Sequence, residues 1–231
     1  MEKKMQHIPM SSIVDSNGVA HVGKNMLIID DLPKEANFHL FIGGNDTHVE
    51  FFSHICPRDG DEWWRRHCTF HLMAKGVILS ANIAIELKKN QRMEWSCKQE
   101  HEAENATSHV RVRSIMDGKA FFSASSTIVI AGDANGSAAH YDNRNLLLSH
   151  LAHVVANPSM EISLKNAFCS HGATIGGTDP QQESYLCSRG ISSKNAKLLL
   201  RDAFIREICG PMFASKKING DWEKAPLRDD Q

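Results

Sequence analysis

The stretch His67-Cys68-Thr69-Phe70-His71-Leu72-Met73 decides the fold. Cys68, Phe70 and Leu72 fall on one face, and His67, Thr69 and His71 on the other. A period of two is the pattern of a half-buried strand. It recurs on both sides of this stretch. Ile83, Ile85 and Leu87 alternate with Asn82, Ala84 and Glu86; Val110 and Val112 with Arg111 and Arg113; Met160, Ile162 and Leu164 with Glu161, Ser163 and Lys165. These segments are short, and no helix-length amphipathic stretch stands between them. A doubly wound α/β fold needs crossover helices and is excluded. A sandwich, a barrel and a β-helix all fit. Clean Asn-Gly hairpin turns are nearly absent, Asn135-Gly136 being one, so a meander of tight hairpins is disfavoured. No strict sequence repeat marks a solenoid.

The first fifty residues are weakly patterned, with short strands expected at residues 25–30 and 48–52 and turns at Asp15-Ser16-Asn17-Gly18 and Gly43-Gly44-Asn45-Asp46. After Gly176-Gly177 the period changes. Asp179-Pro180 reads as a helix N-cap with proline at the first helical position, and Gly190 as the stop. Ser192 or Ser193 caps a second helix, with Ala196, Leu199, Leu200, Ala203, Phe204 and Ile208 as its apolar stripe and Gly210-Pro211 at its end. The expected organisation is a β region over residues 1–178, an αα-hairpin over 179–210 and a polar, frayed tail over 211–231.

The 231 residues carry 26 Lys+Arg against 27 Asp+Glu, so neither a strongly basic nucleic-acid binder nor an acidic tail protein is at hand. No apolar run approaches the length of a membrane span, and no secretory leader is read at the N-terminus. Six scattered cysteines without a C-x-x-C pair read as reduced thiols in a cytoplasmic protein. All thirteen histidines lie at or before His171.

Three constellations carry possible chemistry. In Cys169-Ser170-His171-Gly172-Ala173-Thr174-Ile175-Gly176, a strand puts Cys169 and His171 on one face. A thiol beside an imidazole is a metal site, an activated nucleophile, or a plain strand end with a buried cysteine. Gly172 and Gly176 would let backbone pass closely or turn sharply. The second is Cys97-Lys98-Gln99-Glu100-His101-Glu102-Ala103-Glu104 with His109, which is rich in metal-ligand types; a solvated loop between strands is the reading preferred. The third is His67 and His71 beside Trp63-Trp64-Arg65-Arg66, read as a partly buried turn with snorkelling arginines. No phosphate-binding loop, dinucleotide fingerprint or nucleophile elbow is present, so no nucleotide is expected on this chain.

The run CSHGATIG from Cys169 to Gly176, then Asp179, YLCSRGI from Tyr185 to Ile191, and Leu199, Leu200, Ala203, Phe204 and Glu207 resembles the C-terminal part of the SufB/SufD family, closer to SufD. RNLLLS from Arg144 to Ser149 and HEAENATS from His101 to Ser108 are similar to family stretches further upstream. The chain departs from the family pattern at Glu183, Ser184 and Cys187.

The resemblance implies a right-handed parallel β-helix with a short C-terminal helical segment, and a non-enzymatic subunit of an iron–sulfur cluster assembly scaffold. It implies a SufB-like partner, or a second copy of the chain, and a SufC-like ATPase. His171, with Cys169 beside it, is then the position where iron or a nascent cluster is handled transiently at the shared interface. Tyr185, Arg189, Leu199, Leu200 and Phe204 become the ATPase-docking residues. Two other readings stand beside it. One is a degenerate relative kept as an interaction protein without cluster output. The other is a small metalloenzyme built on His101, His109, His171 or the His67/His71 pair.

Overall fold

The computed structural model describes residues 6–209 and the short strands Lys217–Ile218 and Asp221–Trp222. The chain divides into two compact units, residues 1–178 and 179–231.

Unit one is a β-solenoid of parallel strands. β1 (Gln6–Pro9), β3 (Met26–Asp30), β5 (His48–Ile55), β7 (Ile78–Leu87), β9 (Thr107–Met116), β11 (Ala138–Leu147) and β13 (Phe168–Gly176) form one sheet in that order. β2 (Val19–Val22), β4 (Glu35–Ile42), β6 (Trp63–Leu72), β8 (Arg92–His101), β10 (Phe121–Ile130) and β12 (His153–Ile162) form the other. The chain alternates between sheets, so each pair of strands makes one turn. Ile78 lies beside Thr107, Thr107 beside Ala138 and Ala138 beside Phe168, an advance of about 30 residues per turn. The earlier turns are shorter, with Gln6 beside Met26 and Met26 beside Val49.

Alternation along each strand sends one face inward. Phe38, Leu40 and Ile42 of β4, Cys68, Phe70 and Leu72 of β6, and Leu79, Ala81, Ile83 and Ile85 of β7 are buried together. The sheets meet through aromatic contacts: the Phe51 ring of β5 lies 5.6 Å from Phe38 and 5.4 Å from Phe70 across the core. Met10, in a short 3-10 turn after β1, is fully buried in the same core.

Several expectations need correction. The strands expected at 25–30 and 48–52 are β3 and the start of β5, but β1, β2 and β4 in the same region were not anticipated, and all belong to the solenoid. Trp63-Trp64-Arg65-Arg66 is not a turn but the first half of β6. Arg66 points inward, 2% exposed, with its Nε 3.6 Å from the Asp30 carboxylate and its Nη2 donating to the Leu32 carbonyl. Asn135-Gly136 closes no hairpin: it joins β10 to β11, which belong to different sheets, with Gly136 at φ +71°. Met160 and Ile162 alternate as read but stay exposed, because β12 is the terminal strand of its sheet and no further turn covers it.

Unit two begins with α1 (Pro180–Ser188) and α2 (Ser193–Cys209). The Asp179 carboxylate accepts from the Gln181 amide, as the N-cap reading requires. α1 ends with Gly190 at φ +86°, its amide on the Cys187 carbonyl and the Ile191 amide on Leu186, which is a Schellman closure. The Ser192 hydroxyl accepts from the Asn195 amide and caps α2. The hairpin is tied by the Ser193 hydroxyl donating to Glu183 at 2.7 Å. The α2 stripe holds in part: of the residues expected, Ala196 and Ile208 are buried and Leu200 and Phe204 half-buried, while Leu199 is 49% exposed and Ala203 is also exposed; Ile205 and Cys209 are buried outside it. Gly210-Pro211 and most of the expected frayed tail lie outside the described residues. Within that tail, Lys217–Ile218 and Asp221–Trp222 pair as an antiparallel ribbon, β14 and β15.

Candidate functional site

β13 is the last strand of its sheet, hydrogen-bonded on one side only, to β11. β12 ends the other sheet in the same way, beside β10. Among the described residues, the final turn therefore presents two strand edges with no further strand beside them. It also presents apolar side chains that no further turn of the described residues covers. Phe168 is 67% exposed, and Val155, Met160, Ile162 and Ile175 are exposed as well. Open edges and uncovered apolar area on one turn are features that proteins ordinarily cover with a partner.

Cys169 and His171 sit on β13, on the face that in earlier turns points into the core. Cys169 is in register with Ala139 and His171 with Tyr141, both buried. Cys169 is half-buried against the core, whereas His171 is exposed. Burial pushes the Cys169 thiol above its ordinary range, and a backbone hydrogen bond involving Ala139 acts the other way. Burial thus favours the protonated thiol over the thiolate at this position. Ser170, between them, faces outward and contacts Nδ1 of His140 at 2.7 Å. His140 stacks on His109 with centroids 4.7 Å apart. Burial, with His140 and Arg111 nearby, holds His109 below its ordinary range.

Among the described residues, chain neighbours aside, nothing lies within 4 Å of where a Cβ would stand at Gly172 or Gly176, so no close backbone approach is made there by these residues. Among the described residues no third His, Cys, Asp or Glu completes a ligand group with Cys169 and His171. The two residues offer one thiol and one imidazole on the same strand face, the imidazole open to solvent.

Among the described residues, His101, His109 and His171 do not come together in one ligand group. His101 is fully buried at the end of β8, inside the core. Ser108 donates to the Gln99 side-chain oxygen at 2.7 Å, so His101 Nε2 donates to the Ser108 hydroxyl, also at 2.7 Å. Burial lowers its pKa to about 4. It is a neutral structural group facing away from His109. The polar run from Cys97 is not a loop either, because it is strand through His101. Glu100 and Glu102 meet His71 from the preceding turn, a grouping that neither sequence cluster contained by itself.

On the helical hairpin, Tyr185 is 58% exposed with the Arg189 guanidinium 5.3 Å from its ring centroid. Tyr185 and Leu200 line a shallow groove with Asp179, Gln181, Gln182 and Leu186. Leu199 is exposed, and Phe204 half-buried. No helix among the described residues is long and apolar enough to cross a membrane.

Comparison with known proteins agrees with this architecture. Residues 50–204 match the family model for the SUF system FeS cluster assembly SufBD core domain. An iron–sulfur cluster assembly SufBD family protein of Synechocystis sp. is 46% identical over 66 residues, 29% of this chain and 15% of that protein. The iron–sulfur cluster assembly protein SufD of Escherichia coli is 38% identical over 91 residues, 39% of this chain and 21% of that protein. A SufBD family protein of Mycobacterium leprae is 26% identical over 148 residues, 63% of this chain and 17% of that protein. The matched stretches thus span about a fifth or less of these relatives. The family match covers more than half of the chain and falls on the parallel solenoid and the hairpin that follows it: the chain belongs to the SufBD family of iron–sulfur cluster assembly proteins.

Proposed function

We propose that this chain is a SufD-like subunit of a cytoplasmic iron–sulfur cluster assembly scaffold, without catalysis of its own. Its open final turn meets a SufB-like partner. One observation carries the reading: the two donor residues of the CSHGATIG motif lie on a terminal strand whose outer edge has no partner in the sheet.

Iron or a nascent cluster is the cargo. The exposed His171 imidazole offers a nitrogen donor at the solenoid end, and Cys169 a thiolate once its proton leaves. Thiolate and imidazole are both suitable iron ligands. Two ligands do not close a site, and the partner supplies the rest. The open space over Gly172 leaves that partner's backbone room to approach. In the same reading Tyr185, Arg189, Leu199, Leu200 and Phe204 offer the hairpin surface to a SufC-like ATPase, which supplies the nucleotide chemistry that this chain lacks.

The test is complementation of a SufD-deficient strain. Wild-type chain restores cluster-dependent growth and His171→Ala does not, while both accumulate as folded protein. Full complementation by His171→Ala would remove the role given to His171.

A further inference from the structure

A second cluster of ligand side chains lies on the outer face of the other sheet, far along the solenoid from β13. His71 of β6 is 9% exposed and held on all sides. Phe41 of β4 stacks on its ring, with centroids 4.0 Å apart and planes 3° from parallel. Its Nε2 lies 3.0 Å from Nδ1 of His39. Its Nδ1 lies 2.7 Å from Glu100 Oε2 and 3.2 Å from Glu102 Oε1. The other oxygen of Glu100 contacts the Lys98 ammonium.

A neutral imidazole carries one hydrogen. With that hydrogen on Nε2, directed at His39, the Nδ1 lone pair points at two carboxylates. Three electron-rich atoms then face one another and need a cation between them. Their spacing fits one. Nitrogen and oxygen ligands bound at about 2.1 Å and set at right angles lie about 3 Å apart. The donor set of one imidazole and two carboxylates suits a divalent first-row ion. A metal-bound histidine whose other ring nitrogen is hydrogen-bonded is the usual arrangement that fixes tautomer and aim, and His39 provides that bond.

We propose that His71 Nδ1, Glu100 and Glu102 bind a divalent transition-metal ion of the zinc or ferrous class, with His39 as a positioning residue behind His71. The site belongs to the solenoid wall and is independent of Cys169 and His171.

The test uses the full chain with Zn2+ alone by calorimetry, and with Co2+ alone by visible absorption. Wild type takes up one more equivalent than the E100Q/E102Q double variant, and the double variant loses the Co2+ bands of that equivalent. His39→Ala keeps the equivalent but binds it about tenfold or more weakly. His171→Ala leaves it unchanged, which separates this site from the one on β13. Equal stoichiometry and equal Co2+ spectra in wild type and the double variant would overturn the proposal. So would NMR showing His71 as an imidazolium that Zn2+ does not displace. Both substituted glutamates are partly exposed, and circular dichroism checks that the variants remain folded.

Discussion

His171 stands beside Tyr141 across the β11–β13 register, yet Tyr141 is buried and His171 is open to solvent. The same inward-facing position holds Val110, Ala81 and Phe51 in the preceding turns, all buried. The interior column therefore runs through the solenoid and surfaces at its last strand. The residue at that end can be chosen for chemistry because it has no core to fill. Desolvation of Tyr141 drives its hydroxyl well above the ordinary range, whereas His171 keeps water contact.

The open final turn is expected to be a binding surface. Phe168 and Ile175 of β13 are 67% and 48% exposed. Replacing both by lysine removes apolar area and puts charge on the edge. The double variant is expected to keep its thermal midpoint and lose at least about tenfold in affinity for the SufB-like partner, roughly 1.4 kcal/mol. Surface plasmon resonance against that partner measures this. Unchanged affinity would move the interface away from β13.

The aromatic contact between sheets is expected to dominate core stability. Phe70 is fully buried and lies 5.4 Å from Phe51 across the core. Phe70→Ala should cost about 3–5 kcal/mol, read from urea unfolding. A loss below about 1 kcal/mol would mean that this part of the core collapses around the cavity.

The buried Arg66 is expected to be costly to truncate. Its side chain is 2% exposed and Asp30 lies opposite, 1% exposed, also accepting from the Ser53 hydroxyl. Arg66→Ala leaves that carboxylate without its cation. A destabilisation of about 3–5 kcal/mol is expected by urea unfolding.

His101 makes the fold acid-sensitive. Its folded pKa is about 4, below the unfolded value near 6.5. The unfolded chain therefore binds a proton that the folded chain refuses. The contribution is intact above pH 6.5 and falls away as pH drops toward 4, at about 1.4 kcal/mol per pH unit. His101→Gln should flatten the slope of stability against pH in that window, seen in urea midpoints from pH 7 to pH 4.5. An unchanged slope would assign the acid loss to other groups.

Much of this was legible in the sequence, and what was not has a physical cause. Alternation at Cys68, Phe70 and Leu72 identifies a strand because the core rewards it directly. The N-cap at Asp179 and the stop at Gly190 are local, and both stand as read. Contacts between turns are not local. His71 meets Glu100 only because a turn takes about 30 residues, and the chain shows no strict repeat that would reveal that length. For the same reason Arg66 looked like a surface arginine: its partner Asp30 lies on the opposite sheet. The α2 stripe was legible in part, because helical spacing allows two adjacent faces: Ala196 and Ile208 are buried as expected, but Ile205 and Cys209 are buried where Leu199 and Ala203 were expected. The motif at Cys169 and His171 was readable as residue types. Its placement on an open terminal strand was not, because β13 has the same alternation as the strands covered on both sides.

The central claim is that this chain works as one half of a cluster-assembling scaffold. The most direct measurement is anaerobic co-expression with SufB-like and SufC-like proteins, followed by size exclusion and an absorption spectrum of the complex peak. The account predicts one peak containing all three chains with iron–sulfur absorption, and loss of that absorption with retention of the complex in His171→Ala. A lone, colourless peak for this chain would contradict it.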